Sequence, residues 1–170
     1  MAIAHLPRRF SAANAGSLAA GAPGIRQPNG PNRMRSQGRP EVLLAYSGRD
    51  KREYLAAFLA SRGYDVTTCQ DGREALARIS CGGFDLVVTG IVMPYLDGLE
   101  LVCALRHRHA RPPVIAITDS TNEMDRIYLR YATLSGATAT HTLCETEGPF
   151  LKSVDWILRG RDDVGKTVLW

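Results

Sequence analysis

The 170-residue sequence predicts an α/β fold: one domain built on a doubly wound, five-stranded parallel sheet with five helices. Three observations predict it. From residue 41 onward, short apolar runs alternate with stretches of helical periodicity. The apolar runs are continuous, as in strands buried on both faces. Cap and stop residues fall between the runs. Such units in series imply right-handed crossovers, with helices on both sides of the sheet.

The elements follow in order. Residues 42–45, Val-Leu-Leu-Ala, read as the first strand. Asp50 reads as the cap of a helix with Tyr54, Leu55, Phe58 and Leu59 on one face, ended by Gly63. Residues 64–69 read as the second strand, and residues 71–79 as a short helix turning Ala75, Leu76 and Ile79 inward. Residues 84–89 form the third strand, most apolar at Leu86, Val87 and Val88. A loop with Pro94 leads to Asp97, an N-cap, and to a helix with Leu101, Val102 and Leu105 toward the core. Pro112-Pro113 breaks the chain before strand four at residues 114–117. The fourth helix spans residues 123–134, with Ile127, Tyr131 and Leu134 at three-to-four spacing, and Gly136 stops it. Residues 137–142 read as a weaker, Thr-rich fifth strand, and residues 150–158 as a fifth helix with Phe150, Leu151, Val154 and Leu158 apolar.

Sheets of this kind bind ligands at the carboxyl ends of their strands, near the switch in strand order. Those ends carry Tyr46 and Ser47, Gly90, Thr118, and Thr142 with Leu143.

Composition bounds the function classes. The apolar fraction of 45% and charged fraction of 22% are those of an ordinary globular chain. No apolar run approaches the roughly 18 residues of a membrane span, and the N-terminus lacks the apolar core of a secretory signal, so a cytoplasmic location is expected. Cys69, Cys81, Cys103 and Cys144 are scattered with no CxxC pair, which suits reduced thiols. The net charge of +4 is uneven. Residues 1–40 hold six arginines and no acid; the remainder holds the other 15 of the 21 basic residues against all 17 acids. Residues 1–40 are therefore expected to form a disordered basic tail. The same composition also fits upstream sequence before a true start at Met34, or an organelle transit peptide. The domain is expected over residues 41–159, with a short tail at 160–170. With about ten residues after the last helix, no appended DNA-binding module is expected.

Three motifs invite chemistry and are set aside. Residues 160–167, Gly-Arg-Asp-Asp-Val-Gly-Lys-Thr, match the phosphate-loop pattern, but no helix can follow and Asp162 and Asp163 would repel phosphate. Cys103 and His107 stand at i, i+4 with His109 nearby, yet further ligands are not evident. The closing Val-Leu-Trp is apolar, suited to folding back on the domain or docking on a partner.

The stretches GYDVTTCQDGREALARI, FDLVVTGIVMPYLDGLELVCALR and PPVIAIT resemble the receiver domain of bacterial two-component response regulators. The likeness covers residues 41–159. It implies a flavodoxin-like sheet in the order 2-1-3-4-5. It also implies aspartyl phosphorylation: an acceptor carboxylate after strand three, an acidic pair after strand one holding Mg²⁺, a lysine after strand five and a switch hydroxyl after strand four. Carried over by position, the acceptor falls on Gly90, the acidic pair on Tyr46 and Ser47, the lysine on Leu143 and the proline after it on Cys144. Only the switch hydroxyl survives, as Thr118. Asp85 lies five residues before Gly90, on the order of 16 Å away along the strand.

The resemblance therefore implies a degenerate, stand-alone receiver that signals by protein–protein contact, with Mg²⁺ binding and phosphorylation lost, no cofactor and no catalysis. Its expected partners are a histidine kinase, an output protein or a second copy. The expected contact face is helix four, strand five and helix five, with Tyr128, Tyr131, His141 and Trp156. Two alternatives stand beside it: a phosphorelay receiver with another acceptor, and a nucleic-acid-associated protein acting through the basic tail.

Overall fold

The computed structural model describes residues 38–108, 112–143 and 147–160. Five parallel strands alternate with five helices. They are β1 (Glu41–Ala45), α1 (Arg49–Ser61), β2 (Asp65–Cys69), α2 (Gly72–Ser80), β3 (Leu86–Gly90), α3 (Gly98–Arg106), β4 (Val114–Thr118), α4 (Glu123–Leu134), β5 (Ala139–Thr142) and α5 (Gly148–Arg159). The strand order is β2-β1-β3-β4-β5, the order the resemblance implied. The chain leaves β1 outward to β2, then crosses back to β3 on the other side, which puts the switch in strand order between β1 and β3.

Alternation along the central strands builds two cores. Leu43, Ala45, Val87 and Ala116 point to the side covered by α2, α3 and α4, where they meet Ala75, Ile79, Leu101, Val102, Leu105, Leu129 and Ala132. Val42, Leu44, Leu86, Val88, Ile115 and Ile117 point to the other side, against Leu55 and Leu59 of α1 and Phe150, Val154 and Ile157 of α5. Every residue of β3 and β4 is buried, which explains their continuous apolar runs at residues 86–88 and 114–117.

The expected cap holds at Asp97, and Asp71, expected as the first residue of the second helix, is instead the N-cap of α2. The Asp71 carboxylate accepts from the Glu74 N–H at 2.9 Å. Asp97 and Glu100 form a reciprocal capping box. Asp50 is a correction: Gly48 is the N-cap of α1 and Asp50 lies in its first turn. The helix starts early because the Arg52 N–H bonds the Gly48 carbonyl at 2.9 Å. The α1 face is corrected as well: Leu55 and Leu59 are buried, while Tyr54 is 48% exposed. On α4 the three-to-four spacing of Ile127, Tyr131 and Leu134 marks the exposed side, and the core takes Leu129 and Ala132 instead. Residues 1–37, His109, Cys144 and residues 161–170 lie outside the described residues, and with them the tails and most of the phosphate-loop motif.

Candidate functional site

The site is built at the carboxyl ends of β1, β3, β4 and β5. At the end of β1, the Tyr46 N–H bonds the Cys69 carbonyl at 3.0 Å, which continues the ladder to β2 and fixes the Tyr46 backbone. Its ring, only 8% exposed, lies over Gly90. A Cβ added to Gly90 would stand 2.9 Å from Tyr46 Cδ2 and 3.1 Å from Cε2. The space above Gly90 is thus occupied by an aromatic ring.

Ser47 does not face that space; its Oγ donates to the Val92 carbonyl at 3.1 Å and ties the β1–α1 loop to the β3–α3 loop. Arg52 reaches back from α1. Its Nη1 donates to the Tyr46 carbonyl at 2.6 Å and the Ser47 carbonyl at 3.0 Å, so a fixed guanidinium braces the loop.

The β3–α3 loop returns tightly on the strand end. The Gly98 N–H bonds the Ile91 carbonyl at 2.8 Å, and a Cβ on Gly98 would meet the Gly90 oxygen at 2.0 Å. Only glycine permits that approach. Thr118, at the end of β4, is buried, and its Oγ1 accepts from the Ser120 N–H at 3.2 Å. Leu143 follows β5. Its N–H bonds the Thr118 carbonyl at 2.7 Å, and its side chain, 5% exposed, joins Tyr46 and Ile117 in one apolar cluster.

Tyr46, Gly90, Thr118 and Leu143 are therefore brought to one place, and none of them carries a charge. A ring, a hydroxyl turned aside and a glycine supply no anionic oxygen, which a hard dication requires. Among the described residues, no group of three or more His, Cys, Asp or Glu side chains is placed to hold a metal ion. Cys103 on α3 and His107, the C-cap that follows it, are both exposed. The Asp85 carboxylate sits at the opposite end of the sheet, accepting from the Glu41 N–H at 2.8 Å. Cys69, beneath the site at the end of β2, is inert: burial foremost, with Glu74 adding, pushes its thiol up to about 12.

The four residues expected on the partner face are differently disposed. Tyr131 and Trp156 are exposed. Tyr128 is half-buried against the α2–α3–α4 core. His141 is also half-buried: its Nε2 lies 2.9 Å from Ser153 Oγ and its ring meets Phe150 edge-on, and burial lowers its pKa.

Sequence reasoning missed three features. Arg52 gave no signal, because reaching back to loop carbonyls depends on a rotamer. Tyr95 has φ +64, the left-handed region, and its exposed ring lies 5.7 Å from the Arg73 guanidinium carbon. Tyr64 donates its hydroxyl to Asp155, whose carboxylate also pairs with Arg159 at 3.4 Å, fastening α5 to the start of β2. The extended Gly-Tyr at the strand start and the i, i+4 Asp-Arg pair were the available signals for that last contact.

With fold and site in place, comparison with known proteins assigns the class. The response regulator receiver domain family matches residues 42–137, more than half of the chain, and the chain belongs to that family, the receiver module of two-component signal transduction. It is 40% identical over 88 residues to the transcriptional activator PfeR of Pseudomonas aeruginosa, covering 52% of this chain and 28% of PfeR. It is 32% identical over 88 residues to the transcription factor prr1 of Schizosaccharomyces pombe, covering 52% of this chain and 16% of prr1. The chain thus spans well under two thirds of these relatives' length. Among solved structures it is similar to the chemotaxis response regulator CheY4 of Vibrio cholerae, with 27% identity and a TM-score of 0.60 over 71% of this chain and 99% of that one. The receiver domain of Francisella response regulator 1452 gives 26% identity and a TM-score of 0.64 over 72% and 99%. No helix among the described residues is long and apolar enough to cross a membrane.

Proposed function

We propose that this chain is a degenerate receiver that signals by protein–protein contact without aspartyl phosphorylation. One observation carries the reading: the Tyr46 ring fills the space where an acceptor side chain on Gly90 would project. A missing acceptor alone would leave a hole. Here the hole is packed, and Leu143, after β5, shares one buried apolar cluster with the Tyr46 ring. A site filled this way favours one conformation, since no phosphate is available to bias a two-state equilibrium. The chain is then a binding module and not an enzyme, with no need for Mg²⁺. Its partners are of the two-component kind, a histidine kinase, an output protein or a second copy, met through α4, β5 and α5. Tyr131 and Trp156 are the exposed aromatic anchors there.

The test adds Mg²⁺ with acetyl phosphate, or with beryllofluoride, and follows amide NMR shifts around Gly90 and Thr118. No saturable shift and no acid-labile mass increase are expected. Saturable shifts there, with a phosphate-sized mass gain, support the alternative of an unrecognised acceptor and end this reading.

A further inference from the structure

On α4 the core of the domain uses only one side of the helix. Asp125, Leu129 and Ala132 are buried, while Met124, Ile127, Tyr131 and Leu134 recur at i, i+3, i+7 and i+10 and are all exposed. At a rise of 1.5 Å per residue the four span about 15 Å of helix. Four large apolar side chains on one face make a contiguous patch, not scattered exposure. Charge accompanies the patch. Glu123, Arg126 and Arg130 are exposed on the same helix, and none of them forms an ion pair among the described residues. Arg126 and Arg130 stand at i, i+4, a spacing at which like charges destabilise a helix.

The helical period sorts these side chains about Ile127. Glu123 and Arg130, at i−4 and i+3, fall on one side of it. Met124 and Tyr131, at i−3 and i+4, fall on the other. One side thus carries an anion at its start and a cation at its end; the other carries an apolar group at each end. A two-fold axis at Ile127, perpendicular to the helix, reverses the ends and keeps the sides. It sets Glu123 against Arg130 of a second copy, Met124 against Tyr131 of that copy, and Ile127 against its own equivalent. Each of the first two contacts then occurs twice. A parallel pair would exchange the sides and set charges against apolar side chains. The face is therefore complementary to itself in the antiparallel orientation. Residues three and four apart are also the ridges that packed helices interdigitate.

We propose that α4 docks on the α4 of a second copy, antiparallel and crossing at Ile127, with two Glu123–Arg130 pairs flanking the apolar contact. The proposal names the partner for the contact face described above and rests on that reading. It needs α4 alone, since α5 packs in the other core, across the sheet. An exposed patch of this kind offers a few hundred Å² per copy. That places the pair among small interfaces, below about 1,200 Å² in total, where association is weak and reversible.

The experiment is sedimentation of the full chain over a range of concentrations. A monomer at about 1 µM should become a dimer at several hundred µM, as a small interface requires. Ile127→Asp, at an exposed position, should abolish the dimer with the far-UV spectrum and urea midpoint unchanged. Arg130→Glu sets Glu123 against a glutamate, and Glu123→Arg sets Arg130 against an arginine; each should weaken self-association by about tenfold. Mixed together, these two variants restore both opposite-charge pairs and should associate with each other at least as tightly as the wild-type chain with itself. A wild-type chain that stays monomeric throughout overturns the proposal, whatever else covers the patch. So does a dimer that survives Ile127→Asp. A dimer whose two charge variants show no preference for each other overturns the antiparallel pairing. Sedimentation is read without a phosphoryl donor, so failure of the α4 pair and failure of the phosphorylation-independent reading are separable.

Discussion

The Tyr46 ring and Gly90 are complementary: a Cβ on the glycine would stand 2.9 Å from Cδ2 of the ring. Real Cβ contacts are not that short, so the two positions must change together. Gly90→Asp alone therefore forces the ring aside and buries a carboxylate without a partner. A loss of about 1–3 kcal/mol of stability is expected, read from urea unfolding. No Mg²⁺-dependent beryllofluoride shift should appear. Combining Gly90→Asp with Tyr46→Asp, Ser47→Asp and Leu143→Lys should recover part of the stability and create that shift. A single Gly90→Asp that gains saturable beryllofluoride binding at full stability would sink the idea.

The reverse change tests the same packing. Tyr46→Ala removes a ring that is 8% exposed and opens a cavity between Gly90 and Leu143. The expected cost is about 3 kcal/mol or more. A small side chain on Gly90 should refill part of that cavity. Gly90→Ala is thus predicted to destabilise the parent chain and to stabilise the Tyr46→Ala chain. Additive effects in this cycle would show that the residues do not touch.

How much of this was legible in the sequence follows from where each piece of information lives. The sheet was legible because β3 and β4 are buried on both faces and so carry continuous apolar runs at residues 86–88 and 114–117. Asp97 was legible because capping needs only a local side chain three residues before the amide it serves. Asp50 misled because the Gly48 carbonyl, not a side chain, opens α1. The outward stripe of α4 misled more deeply. That helix spends its bulky apolar residues on the surface, while a small Ala132 and Leu129 meet α3 and the sheet. Periodicity reports a face without saying which way it turns. At the site, the identities of Tyr46, Gly90, Thr118 and Leu143 could be placed by resemblance. That Tyr46 fills the vacancy at Gly90 could not, since it depends on a ring rotamer crossing from one strand to the next.

Arg52 braces the β1–α1 loop through the Tyr46 and Ser47 carbonyls. These bonds are charge-assisted but partly exposed, so Arg52→Ala should cost only about 1 kcal/mol. The local effect should be larger than the global one. Amides at Ser47 and Gly48 should exchange faster while those of β3 and β4 keep their protection. Arg52→Lys should rescue incompletely, because a single ammonium matches the fork to two carbonyls poorly. Unchanged exchange at Ser47 in Arg52→Ala would remove the bracing role.

Tyr95 adopts φ +64 with a ring that is 78% exposed, so its strain is not offset by burial. A non-glycine residue in the left-handed region costs about 1–2 kcal/mol. The Arg73 guanidinium over the ring returns roughly 0.5 kcal/mol at an exposed site. Tyr95→Asn, which tolerates that conformation, should therefore stabilise the domain by about 0.5–1 kcal/mol. Arg73→Ala in the parent should cost a few tenths, and nothing in the Tyr95→Asn background. A lower urea midpoint for Tyr95→Asn would mean that the ring makes contacts worth more than its strain.

His141 gives the fold a pH dependence whose sign follows from its surroundings. Its ring is half-buried between Phe150 and Ser153, and burial lowers its pKa below the ordinary value of 6.5. The unfolded chain, with an ordinary histidine, then binds a proton more readily than the folded one. Stability rises with pH wherever the unfolded state holds more protons, so the contribution is fully present above about pH 6.5 and declines as pH falls below it. Glu74 acts in the same direction at lower pH. The hydrogen bond from Arg78 holds its carboxyl below the usual range, and that stabilisation is lost as the carboxyl protonates. The two are separable by window. Between pH 7.5 and 5.5 the wild-type urea midpoint should fall, and His141→Gln, which keeps a partner for Ser153 without the titration, should flatten that fall. Glu74→Gln should leave this window unchanged and reduce the decline only below about pH 4.5. A His141→Gln chain that keeps the full wild-type slope between 7.5 and 5.5 would exclude this histidine as its source.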